Sequence, residues 1–217
     1  MKPAAFDYER PKTVSAAIKL LQDTGGGAKI LAGGQSLGPM LNMRLVNPTL
    51  LIDIARISEL NDISDDGDAL IFGACVTHAA IEDRMVPDAS GGMMPAVARG
   101  IAYRAVRNKG TIGGSLAHAD PAADWITTLT ALGSQALVSG PQGERTISLD
   151  QFFRSAFHTV LTDDEILIAI RVPKLSKNAR WGFYKFCRKT GEFAEKRAIQ
   201  RGISENQPRS QDPGADR

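Results

Sequence analysis

Apolar residues fall at helical spacing near the start of the chain. Val14, Ala17, Ile18 and Leu21 share one helix face, Thr13 precedes them as a cap, and Gly25-Gly26-Gly27 stops the run. The pattern then changes to short apolar runs. Ala28 to Ala32 reads as a buried strand that feeds a glycine turn, and Leu50 to Ile54 reads as another strand. Ala69 to Gly73 is the returning strand of a hairpin turned at Asp65-Asp66-Gly67-Asp68. Met94 to Ala102 reads as a helix with Pro95 near its start. A second helix is expected from Asp120-Pro121 through Trp125 to Leu132, with Asp120 as cap and Pro121 in the first turn. Gln135–Ser139 and Glu144–Ser148 flank Gly140-Pro141-Gln142-Gly143 as a second hairpin, and Ile166–Val172 and Trp181–Phe186 are the last strands.

Helices and strands do not alternate regularly, so an α+β fold is expected rather than a doubly wound sheet. The pattern divides into a small lobe over residues 1–54 and a larger lobe over 55–175, with a further segment opening at 176–193. From Ala194 to Arg217 there is no Leu, Val or aromatic residue, and Ile199 and Ile203 are the only bulky apolar side chains. Such a stretch is expected to stay disordered, since it buries too little to offset the entropy of ordering.

Composition narrows the function classes. The 217 residues suffice for one large domain or two small ones, and 43% hydrophobic with 23% charged residues is ordinary for a globular protein. A net charge of +2 offers no basic excess for a nucleic-acid binder. No run of about 18 apolar residues is present, and the start has no apolar core of signal-peptide length, so the cytoplasm is the expected compartment. Cys75 and Cys187 are too few to ligate an iron–sulfur cluster and read as reduced thiols. His78, His118 and His158 are scattered, without the Asp, Glu or Cys spacing of a metal site.

Two segments carry candidate chemistry. Ala32-Gly33-Gly34-Gln35-Ser36 follows a strand, and Thr111-Ile112-Gly113-Gly114-Ser115 repeats the pairing of Gly-Gly with a nearby hydroxyl. Glycines let backbone N–H groups approach an anion closely, and hydroxyls add donors. Either segment alone reads first as an ordinary tight turn; two from two lobes could grip a pyrophosphate from both sides. Neither a G-x-x-x-x-G-K-[ST] phosphate loop nor a G-x-G-x-x-G dinucleotide motif is present.

The first segment, with Leu37 and Pro39, resembles the first flavin motif of the medium subunits of carbon monoxide dehydrogenase-like molybdenum hydroxylases. The run Gly110-Thr111-Ile112-Gly113-Gly114-Ser115-Leu116-Ala117-His118-Ala119-Asp120-Pro121-Ala122-Ala123-Asp124 resembles the second, which is long and specific. The likeness extends over residues 1–193, including Phe6-Asp7-Tyr8 with Pro11 and Lys185-Phe186-Cys187-Arg188-Lys189-Thr190-Gly191.

That resemblance implies a two-lobed FAD domain of the vanillyl-alcohol-oxidase (PCMH) type, with the pyrophosphate on the two Gly-Gly segments. It implies cofactor contacts from Ala32, Gly33, Gly34, Gln35, Ser36 and Leu37, and from Thr111, Ile112, Gly113, Gly114 and Ser115. Asp124 would bind polar groups of the cofactor, with a simple surface charge as its alternative. Ile101, Leu161 and Lys185 would approach the cofactor, two of them through the main chain, and Lys29 would serve the adenine side. His118 is open between flavin contact and structural support, and Asp120 between cofactor contact and helix cap. Gln35 stands near where covalent relatives carry a histidine, so the flavin is expected to be non-covalent.

The resemblance also implies electron transfer. A large subunit would hold the molybdenum cofactor, a small subunit the 2Fe–2S clusters, and this FAD would pass electrons to an external acceptor. A flavin-binding module without electron transfer and a self-contained flavin oxidase are the alternatives. Family members run on after the Lys-Thr-Gly segment into a C-terminal α/β domain of about 100 residues. Here a polar stretch follows, as a truncated or frame-shifted product would have it.

Overall fold

A computed structural model describes residues 2–189, 191–193 and 196–203. The chain runs β1 (Asp7–Glu9), α1 (Val14–Thr24), β2 (Ala28–Leu31), α2 (Leu37–Asn42), β3 (Leu50–Asp53), a 3-10 turn at Ser58–Leu60, β4 (Ile63–Asp65) and β5 (Ala69–Gly73). Five helices follow: α3 (His78–Glu82), α4 (Met93–Arg99), α5 (Arg104–Arg107), α6 (Ile112–His118) and α7 (Asp124–Ala131). Then come β6 (Gln135–Gly140), β7 (Gly143–Ser148), α8 (Leu149–Phe152), β8 (Phe153–Ser155), β9 (His158–Thr159), β10 (Ile166–Pro173), β11 (Ala179–Phe186) and β12 (Lys196–Ile203).

α1 forms as the sequence dictates. The Thr13 hydroxyl accepts from the Ala16 N–H at 3.2 Å, and Gly25 ends the helix at a φ of 54°, which a glycine adopts freely. Its apolar face, Ala17, Ile18 and Leu21, packs on a parallel sheet of order β1-β3-β2. Burying a side chain such as Ile18 or Leu21 contributes about 1.5–3 kcal/mol. Cys75 and Ile166 of the larger lobe enter this same core, so the two lobes share a packed boundary.

The larger lobe is an antiparallel sheet of order β4-β5-β10-β6-β7. Helices α4, α6 and α7 supply Met93, Val97, Leu116, Trp125 and Leu129 to the core it helps enclose. A three-stranded parallel sheet in one lobe and a five-stranded antiparallel sheet in the other make the α+β reading correct.

Three expectations are corrected. α4 ends at Arg99 and not at Ala102, because Ala102 adopts a φ of 41° that no helix continues through. α7 begins at Asp124 and not at Asp120; Pro121 sits inside a turn in which the Asp120 carboxylate accepts from the Ala122 N–H at 2.8 Å. Finally, residues 196–203, placed in the disordered stretch 194–217, form β12, antiparallel to β11 from Ala179↔Ile203 to Phe186↔Lys196. The main chain of β11 offers a ladder, and one apolar residue of the right parity, Ile199, reaches the larger core. Composition alone carries neither fact. Residues 194, 195 and 204–217 lie outside the described residues.

Candidate functional site

The first glycine segment is an open turn between β2 and α2. Gly34 has a φ of 67°, and the Gln35 side chain folds back to donate to the Gly33 carbonyl at 2.9 Å. Among the described residues, the amides of Gly33, Gly34, Gln35 and Ser36 donate to no protein acceptor, and the Ser36 hydroxyl caps nothing. Unpaired donors on a half-exposed turn are what an anion can occupy.

The second segment is built differently. Thr111 is the cap of α6: its hydroxyl accepts from the Gly114 N–H at 3.0 Å, and its carbonyl from the Ser115 N–H at 3.0 Å. The Ile112 and Gly113 amides donate to the Val76 and Ala74 carbonyls at 3.0 and 2.9 Å. A Cβ on Gly113 would stand 2.4 Å from the Ala74 Cβ, so this glycine is required by packing. The expected second turn is therefore the first turn of a helix, with its glycine amides satisfied by protein.

The two segments nonetheless touch. A Cβ on Gly33 would lie 2.0 Å from the Lys109 carbonyl oxygen and 2.8 Å from the Gly110 Cα, and one on Gly114 would lie 3.9 Å from the Ala32 Cβ. No side chain fits where they cross.

A buried ion pair stands at the head of α7, which packs on α6. Asp124, 5% exposed, heads α7, and Lys185 of β11 reaches it at 2.8 Å while donating to the Gly100 carbonyl at 2.9 Å. The surface-charge alternative for Asp124 is thereby excluded. Ile101 is half-buried next to Gly100, and its carbonyl accepts from Arg107 at 2.9 Å. His118 closes α6, half-buried, its ring 5.2 Å from that of Phe157. Leu161 is half-buried after β9, which packs on α6. Lys29 is exposed on β2, where its main chain pairs with Leu51 of β3, and among the described residues its ammonium has no hydrogen-bond or ion-pair partner.

Other titratable groups are structural. His78 is 5% exposed; its Nδ1 accepts from the Trp125 indole at 3.0 Å, and burial, with Arg107 nearby, lowers its pKa to about 4. Burial pushes the Cys75 thiol up to about 12, which keeps it unreactive. His158 is exposed on β9. Sequence reasoning missed Arg107 and Glu82, which pair at 2.7 Å with both side chains about 10% exposed. No local pattern marks them, since their partners lie on other elements.

Residues 4–175 match the model of the FAD-binding domain in molybdopterin dehydrogenase. The chain belongs to this FAD-binding domain family. Its cofactor is FAD. The chain is 38% identical to the carbon monoxide dehydrogenase medium chain of Hydrogenophaga pseudoflava, over 89% of this chain and 68% of that one. It is 39% identical to the nicotine 6-hydroxylase medium subunit of Paenarthrobacter nicotinovorans, over 89% of this chain and 67% of the relative. Among solved structures, it matches carbon monoxide dehydrogenase from Hydrogenophaga pseudoflava with a TM-score of 0.87 at 39% identity, covering 89% and 68% of the two chains. It matches reconstituted CO dehydrogenase from Oligotropha carboxidovorans with a TM-score of 0.90 at 32% identity, covering 95% and 72%. The chain spans about two-thirds of the length of the curated relatives it matches. No helix among the described residues is long and apolar enough to cross a membrane.

The residues present fit the cofactor. Four open amides at 33–36 suit a pyrophosphate, and the crossing at Gly33 and Gly110 lets main chain approach without an intervening side chain.

Proposed function

We propose that the chain holds FAD non-covalently and serves as the flavin subunit of a molybdenum hydroxylase complex in the cytoplasm. In this reading the electrons arrive from 2Fe–2S clusters on a small subunit, the molybdenum cofactor sits on a large subunit, and an external acceptor takes the electrons away. The observation that carries the reading is the turn of four open amides packed against the Lys109–Gly110 main chain.

FAD supplies both one-electron and two-electron exchange when bound. The protein supplies placement. Ala32, Gly33, Gly34, Gln35, Ser36 and Leu37 would receive the pyrophosphate on main-chain N–H groups and the Ser36 hydroxyl. Thr111, Ile112, Gly113, Gly114 and Ser115 would back that turn from the second lobe, with Ser115 offering its hydroxyl. Asp124 and Lys185 present a carboxylate and an ammonium of fixed position, since each is held by the other. Ile101, Leu161, His118 and Asp120 would line the remaining wall, and Lys29 would meet the adenine end. Residues 1–54 and 55–175 are then the two lobes of one flavin cleft, and 176–193 opens the segment beyond.

The test is the absorbance spectrum of the purified chain with and without added FAD, followed by acid precipitation. The reading expects about one FAD per chain, released into the supernatant by acid. A chain that takes up no FAD would overturn it, and yellow colour held in the pellet would overturn non-covalent attachment. Mixing the loaded chain with the reduced iron–sulfur subunit should bleach the flavin absorbance. Persistent colour would leave binding without electron transfer.

A further inference from the structure

One short helix lies behind three of the segments assigned to FAD. α3 begins at His78, whose amide donates to the Gly110 carbonyl at 3.0 Å. The His78 ring accepts from Trp125, the residue after Asp124, and its Nε2 lies 2.8 Å from where a Gly110 Cβ would stand. α3 ends at Glu82, which receives Arg107 on both carboxylate oxygens, at 2.7 and 3.1 Å. Arg104 adds a contact to Glu82 at 3.2 Å from its exposed side and also bonds Asp83.

The remaining donor of Arg107 points at main chain. Its Nη1 donates to the carbonyls of Ile101 and Ala102 at 2.9 and 3.1 Å. The preceding carbonyl, of Gly100, accepts from Lys185. Three successive carbonyls are thus turned onto two largely buried cations. Ala102 sits there at a φ of 41°, a conformation an alanine leaves unless its surroundings hold it. Gly191 closes the far side, with no room for a Cβ between it and the Tyr103 ring at 2.9 Å.

We propose that Arg107, oriented by Glu82, is a positioning residue for FAD: it locks the Gly100–Ala102 bend in register with Gly110 and the Asp124–Lys185 pair. The proposal rests on the FAD reading above. A guanidinium is required because one planar group spans a carboxylate and two carbonyls at once. Lysine, a point charge on a flexible stem, would satisfy Glu82 and leave a carbonyl without its donor.

The experiment uses the full chain with Arg107→Gln, Arg107→Lys and Glu82→Gln. FAD affinity is measured by flavin fluorescence titration, the reduction potential of the bound flavin by dye equilibration, and the melting temperature on the FAD-free protein. Arg107→Gln should weaken FAD binding on the order of tenfold or more, as expected for charge-assisted hydrogen bonds. Its bound flavin should also show a shifted potential. Arg107→Lys and Glu82→Gln should move both quantities in the same direction by less. Variants that melt lower yet keep wild-type affinity and potential would overturn the proposal, because a mere brace would do the same. If Arg107→Gln does not fold, the two milder variants decide by the same criterion. A wild-type chain that takes up no FAD removes the underlying reading and this proposal with it, whereas wild-type behaviour in the variants removes this proposal alone.

Discussion

The turn at residues 33–36 and the helix start at residues 111–115 carry nearly the same letters and solve different problems. In the first, glycine frees main-chain amides that nothing in the described protein accepts, and Gly34 bends the chain to a φ of 67°. In the second, the amides are spent on Thr111, Val76 and Ala74, and Gly113 is small because Ala74 stands against it. A Gly-Gly next to a hydroxyl residue therefore marks close approach of main chain, and only the surroundings say to what. Here one segment is free to meet a ligand, and the other secures the wall behind it.

Substitutions can separate the two roles. Gly33→Val should abolish FAD retention, since its side chain would enter the Lys109 main chain; Gly182→Val, facing open space on β11, should retain the flavin. Equal loss in both, read from the absorbance of the purified proteins, would mean general misfolding. Gly113→Val should instead cost about 3 kcal/mol in urea unfolding of the FAD-free chain, the upper range for overpacking. Unchanged stability there would contradict a packing role for the second segment.

The wall should also respond to acid. His78 is held neutral, with a folded pKa of about 4 against an ordinary value of 6.5. The unfolded chain binds that proton first, so the stability from a neutral His78 is complete above about pH 6.5 and falls as the pH drops towards 4. About 2 kcal/mol should go between pH 7.5 and pH 5. Urea titrations at the two pH values check it: a loss of the same size in His78→Gln would assign the effect to other groups.

The smallest effects give the sharpest contrast. Thr111→Ala removes the α6 cap and should cost about 1 kcal/mol of stability. Ser36→Ala should change stability by less than about 0.5 kcal/mol while weakening FAD several-fold, because its exposed hydroxyl supports no protein group. If Ser36→Ala lowers stability as much as Thr111→Ala does, the two segments are not distinct.

Local signals were legible where they are self-contained. The α1 cap and stop, the two-residue turn between β6 and β7, and the glycine segments could all be read from neighbours in sequence. α3 and α5 could not, because helices of five and four residues show no period. Of the candidate site, the glycine segments and Asp124 were recognisable as motifs, but the partner that buries Asp124 lies 61 residues away. Glu82 and Arg107 are likewise joined by the fold alone. β12 was hidden for the opposite reason: its composition is that of a polar tail, and what makes it a strand is supplied from outside it, by the edge of β11 and by the core that receives Ile199.

The two tryptophans of the chain differ in burial within one core: Trp125 is a member of it and Trp181 packs against its edge. Trp125 is fully buried with its indole on His78, whereas Trp181 is half-buried at the root of the β11–β12 ribbon, its indole donating to the Gly91 carbonyl at 3.0 Å. The protein should therefore act as its own two-colour dye, with bluer emission expected from Trp125 and redder emission from Trp181. Lifting the ribbon should shift the red component and leave the blue one in place, so steady-state emission can watch β11 move without any label. A single-tryptophan variant, Trp125→Phe, would isolate that signal.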